Sequence, residues 1–248
     1  MELLPAAAGA AVTAADMAAR CQQRLDEDPA IVTPAFYPFS EVLSALNRAQ
    51  RMMVLLTLYL EATAPMVLAS SAFYHMRSYF PDWMLPLRVT LNTGFRVRPA
   101  RLAELDAVDA GWQVSAGAPA RYAALGFDFL AVYQQSAGAT LNMTYARSPD
   151  AMVSGTDTPE IPEDYHPALI DFAIPWLRVK EGAQEFQKAQ PYLKRFLSEA
   201  DRLGQYVRAR NLAARYDNLP FELRRLDRSR FRGIRPDLPS TKGTMTDA

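Results

Sequence analysis

Few residues in this chain have types and spacing suited to chemistry. It holds two histidines, His75 and His166, and one cysteine, Cys21. His166 follows Asp164 by two positions and precedes Asp171 by five. An imidazole oriented by a carboxylate is the usual acid–base pair, so this trio is the one catalytic candidate. A structural reading competes with it and is stronger. Glu163 and Asp164 fall in a helix first turn, where acids complement the dipole, and His166 is a polar residue at the helix start. A two-histidine metal site would need carboxylates from elsewhere, and no spacing supplies them. A lone cysteine excludes a disulfide within the chain and a thiolate cluster. Cys21 reads as a small helix residue in a reducing compartment, with nothing basic and aromatic around it. The phosphate-binding, dinucleotide, zinc-protease and nucleophile-elbow signatures are all missing. No catalytic, cofactor or metal residue is assigned, and the expectation is a protein that is not an enzyme.

The second chemical feature is a run of arginines. Arg224, Arg225, Arg228, Arg230, Arg232 and Arg235 stand in a stretch that also carries Phe221 and Phe231. Three readings stay open. The run can neutralise a nucleic-acid backbone with the phenylalanines stacking, pair with carboxylates of a protein partner, or be a solvated tail. The aromatic residues favour a docked segment. Lys+Arg and Asp+Glu both number 27, so no global charge pulls the chain to DNA or to a membrane, and any electrostatic function is local.

These residues need elements to position them. The Ala-rich start lacks a cationic end and a continuous apolar core, so it is a poor signal peptide. Thr13 caps a first helix reaching about Glu27, with Met17, Cys21 and Leu25 at four-residue spacing. Ser40 caps a second, about 41–62; its apolar part, Met52 to Leu60, is too short to span a bilayer and reads as buried. From Pro65 the pattern turns to short strands (PMVLASSAFYHM, LPLRVTL, GFRVRP). Two short helical turns follow, PARLAELDAV and PARYAALG. FDFLAVYQQ and ATLNMTYARSP then read as a hairpin about Ser136-Ala137-Gly138. Beyond Ile161, Leu169, Phe172, Ala173, Trp176 and Leu177 form one stripe, and a long helix runs from about Gln184 to Tyr216 with a sevenfold seam through Phe186, Leu193, Ala200 and Val207.

Laid end to end, these parts resemble the head-to-tail adaptor (connector) proteins of tailed bacteriophages, over about residues 15–217. The resemblance is carried by SEVLSALNRAQRMM with its Leu-x-x-Leu-Asn-x-x-Gln pattern, by the aromatic strands from Gly111 to Pro149, by Ile161, Pro162, Tyr165, His166, Ala168, Leu169 and Asp171, and by the closing helix KAQPYLKRFLSEADR. Pro167 and Pro175 depart from it and predict a kinked helix. The expected fold is α+β, mainly helical: a bundle of long helices (13–62 with 162–217), an inserted antiparallel β-rich region (66–146) and an extended Arg-rich tail (219–248). The resemblance implies a structural virion protein, assembled in the host cytoplasm, that forms a twelvefold ring of its own copies. The ring would join the portal to a nozzle or tube protein of the tail and line the DNA exit channel without reading sequence. Phe221, Arg224, Arg225, Arg228, Arg230, Phe231, Arg232 and Arg235 would dock on the portal. The alternative is a nucleic-acid-binding module acting through that arginine-rich tail. No cofactor and no membrane partner is expected.

Overall fold

The structure, a computed structural model, describes residues 12–27 and 35–214, the side chains of 211–214 excepted. All of these belong to one compact unit. The expected tail, 219–248, lies outside the described residues.

Four helices share one apolar cluster. Thr13 starts α1 (Ala14–Arg24) through a capping box: its hydroxyl accepts the Asp16 N–H while the Asp16 carboxylate accepts the Thr13 N–H. Met17, Cys21 and Leu25 are buried, as their spacing predicts. Helix α2 (Phe39–Thr57) starts after Pro38, not on a Ser40 cap, and stops five residues short of the expected end. Leu58 takes a left-handed conformation, φ 54°, which closes the helix and turns the chain into a strand.

The strands are β1 (Glu61–Val67), β2 (Phe73–His75), β3 (Trp83–Leu91), β4 (Arg96–Pro99), β5 (Arg121–Leu125), β6 (Phe129–Tyr133) and β7 (Thr140–Arg147), with a short helix α3 (Leu102–Val108) between β4 and β5. They form one sheet in the order β1-β7-β3-β4-β5-β6-β2. One face carries Met66, Tyr74, Val89, Val97, Tyr122, Leu130, Leu141, Met143 and Tyr145 in a single cluster. On the other face α3 and Trp112 cover Ala123 and Ala131. The chain closes with α4 (His166–Arg178) and α5 (Ala183–Ala214), which pack with α1 and α2. Pro167 sits in the first turn of α4, where no N–H is needed, and the helix continues through Pro175.

This arrangement overturns the expected bundle of long helices with an antiparallel insert. Among the described residues there are five α-helices and a seven-stranded, curled mixed sheet, a half-barrel. Only α5, at 32 residues, is long. The mixed character comes from β4 and β5, which pair in parallel through Arg98–Arg121 and Pro99–Tyr122. A parallel pair needs a crossover, and α3 supplies it. PARYAALG, read as a helical turn from its leading Pro119 and closing Gly126, is largely β5: pairing with β6 and the burial of Tyr122 and Ala123 outweigh the helical preference of its alanines. The hairpin reading fails too. β6 pairs with β5 and β2, β7 with β1 and β3. The turn after Ser136 instead delivers the chain to Leu68, whose carbonyl accepts the Gly138 N–H at 2.9 Å.

Candidate docking surface

The catalytic trio does not assemble. His166 is buried, and its Nε2 donates to the Ile161 carbonyl at 2.8 Å. That bond ties the start of α4 to the preceding loop. Asp171 points elsewhere, to Arg24 Nη1 at 2.7 Å and Arg195 Nε at 3.2 Å, and so joins α1, α4 and α5. Burial raises the Asp171 carboxyl above its usual range, against the pull of Arg195 and Arg24. His75 is exposed on β2, bonded to Ser78 Oγ at 2.8 Å and edge-on to Phe129. Burial pushes the Cys21 thiol up to about 12, which keeps it protonated and inert. Among the described residues no group of His, Cys, Asp and Glu could hold a metal ion, and no helix is long and apolar enough to cross a membrane.

The Leu-x-x-Leu-Asn-x-x-Gln stretch has a visible purpose. Leu43 and Leu46 face the helical core, while Asn47 and Gln50 grip the loop 148–161. Asn47 bonds both the N–H and the carbonyl of Met152 at 2.8 Å. Gln50 donates to the Asp150 carbonyl at 3.0 Å and accepts the Glu160 N–H at 2.8 Å. Glu160 pairs with Arg147 and accepts the Asp150 N–H. Asp157 accepts the N–H groups of Val153 and Ser154, and the 155 and 157 carbonyls receive Ala15 and Ala14 at the start of α1. The loop is thus tied along α2 and to the start of α1 by hydrogen bonds.

Between this loop and α2 lies a groove of about 750 Å³, lined by Leu43, Arg48, Arg51, Met52, Leu55 and Met152 among others. Leu55 is exposed. The Arg48 guanidinium lies 3.7 Å over the ring of Trp176, itself 46% exposed. Trp176 therefore does not belong to the buried stripe of Leu169, Ala173 and Leu177; it is an outward aromatic held flat by a cation. Apolar floor, aromatic plane and two arginines are the usual ingredients of a protein-docking site. Nothing in the local sequence pattern pairs Arg48 with a tryptophan 128 positions on. A second exposed apolar area lies at the opposite end of the strand order, where Phe73, Phe127 and Phe129 are all more than two-fifths exposed. The arginine-rich positions expected to dock, Phe221, Arg224, Arg225, Arg228, Arg230, Phe231, Arg232 and Arg235, lie outside the described residues.

The chain belongs to the SU10 adaptor protein family, whose model matches residues 12–220. It is accordingly a phage head-to-tail adaptor, a structural component of the virion that associates with other head and tail proteins. No curated protein matches the chain significantly.

Proposed function

We propose that copies of this protein form a twelvefold ring between the portal and the tail, with DNA passing through its lumen and residues 219–248 reaching the portal. The family match across residues 12–220 is the observation that carries this reading. The two exposed areas support it. A ring needs heterologous contacts, in which each subunit offers two different surfaces. The α2 groove with Trp176 and the Phe73–Phe129 end of the sheet differ in chemistry, and each is open to a partner. The protein so read is not an enzyme; it acts by position. Electron microscopy of the purified protein mixed with portal should show rings stacked on portals. A protein that stays monomeric and ignores both portal and tail proteins would end this reading.

A further inference from the structure

The face of the sheet that α3 covers only in part, over β5 and β6, carries a charge pattern that the fold does not need. Register places Thr63 opposite Thr144, Thr144 opposite Arg88, Arg98 opposite Arg121 and Arg121 opposite Tyr133. The pairing of Val89 with Val97 extends by one residue to put Arg98 beside Arg88. Arg88, Arg98 and Arg121 therefore form one rung across three adjacent strands, with hydroxyl side chains at both ends. Their neighbours Val89, Val97 and Tyr122 are buried on the other face, so this rung lies on the face where Arg88 and Arg98 are exposed, Arg121 is half-buried and Tyr133 packs against the α3 cluster. The next rung reads Pro65, Asn142, Thr90 and Arg96. Neither rung contains a carboxylate. The nearest acid on that face of β1, Glu61, is held by Arg210. Among the described residues Arg88, Arg98 and Arg121 take part in no ion pair.

Like charges directly opposite one another in a sheet are destabilising. Strands about 4.8 Å apart bring these three close, and among the described residues no ion pair offsets them. Such a row suits a ligand whose negative charges repeat along a line. A phosphodiester backbone has that property, and Thr and Tyr hydroxyls add the donors that phosphate oxygens accept. A carboxylate surface could use the same groups, but what favours a phosphodiester is the regular repeat of its charges along a line.

We propose that this face, centred on Arg88, Arg98 and Arg121, binds the phosphate backbone of duplex DNA without regard to sequence. The proposal deepens the ring reading by naming the surface that meets the DNA, and rests on it only for the source of that DNA. The binding itself is a property of the single chain.

The test uses the full chain and fluorescein-labelled duplexes of about 20 base pairs in two unrelated sequences, followed by anisotropy across a salt series. Three proteins are compared: wild type, the variant R88Q/R98Q/R121Q, and a tail variant with Arg224, Arg225, Arg228, Arg230, Arg232 and Arg235 changed to Gln. Wild type should bind both duplexes alike. The sheet variant should bind about tenfold or more weakly at low salt, with a log–log salt slope shallower by about 2.7, three phosphate contacts at about 0.9 each. Its melting temperature should not fall, because the substitutions relieve repulsion. A sheet variant that binds like wild type, with binding lost only in the tail variant, overturns the proposal. So does a wild-type chain that ignores DNA at low salt, or one from which polyglutamate displaces DNA at equal charge, which would mark an acidic protein partner. These outcomes are separable from the ring reading, which stands or falls on the images with portal.

Discussion

Asn47 holds Met152 by both ends of its peptide unit: the Asn47 amide donates to the Met152 carbonyl and accepts its N–H, each at 2.8 Å. Helix α2 thereby serves as a partner strand for a loop that has no sheet of its own. The geometry predicts that Asn47→Ala costs about 1–3 kcal/mol, since it leaves two backbone groups of a part-buried loop without partners. Asn47→Asp should cost a similar amount, because a carboxylate cannot donate to the carbonyl. Urea unfolding gives the magnitude. A double cycle with Gln50→Ala should be non-additive, as both amides grip one loop.

The helices were largely legible in the sequence because their signals are local. Thr13 and Asp16 state a capping box within four residues, and the buried set Ala189, Phe196, Leu203 follows the seam of α5. The sheet was legible only as strands. Nothing local distinguishes β6 turning back on β7 from β6 pairing with β5, since Ser136-Ala137-Gly138 makes the same tight turn in both. The parallel pairing of β4 and β5 depends on where α3 packs, and that is set by Trp112 and Leu105 covering Ala123 and Ala131. The site suffered in the same way. Arg48 and Trp176 meet only after α2 and α4 pack. GFRVRP reads as a strand, but Arg88 and Arg121 come beside its Arg98 only through register. The tail positions on which docking was placed lie outside the described residues.

Asp171 is shared by arginines of two other helices, and its side chain is 10% exposed against 41% for Arg24 and 60% for Arg195. That asymmetry fixes the order of mutational costs. Asp171→Ala should destabilise the fold by about 2–4 kcal/mol, removing the contacts of two cations and the packing of a buried position at once. Arg24→Ala should cost about 1 kcal/mol or less, because its head is solvated and Arg195 still serves the carboxylate. Chemical denaturation of the two variants reports the ratio directly, and equal costs would contradict this account.

Acid should open the α1–loop region first. Hydrogen bonds from Thr13 hold the Asp16 carboxyl below its ordinary value, and bonds from Ser154 and Val153 do the same for Asp157. For Glu160 burial pulls upward, but Arg147 and the Asp150 N–H outweigh it, and the net direction is down. A carboxyl depressed in the folded state stabilises the fold above its unfolded value, about 4, and that stability is lost as pH falls through the folded value. Asp171, raised by burial, works in the opposite sense. The urea midpoint should therefore hold between about pH 7 and 5 and drop between about pH 4 and 2. The double variant D157N/E160Q should be less stable than wild type at neutral pH and should approach it in acid, where the wild-type carboxylates are neutral as well.

The α2 groove can be tested through Trp176, the tryptophan that its Arg48 covers. Trp83 and Trp112 are 3% and 1% exposed, whereas Trp176 is 46% exposed, so acrylamide quenching of the native protein reads Trp176 almost alone. Arg48 covers one face of that ring. Arg48→Ala should increase quenching and cost under about 1 kcal/mol, the range of an exposed cation–π contact. Leu55→Asp should change stability little, since Leu55 is already exposed on the groove wall, yet it places an unpaired charge on the surface a partner must cover. If the groove is a docking site, addition of the partner protein shields Trp176 from acrylamide in the wild type, and Leu55→Asp abolishes both the shielding and head–tail joining at an unchanged melting temperature. Retained joining by that variant would move the interface off α2, because a buried aspartate without a partner cannot be accommodated at the centre of a packed contact.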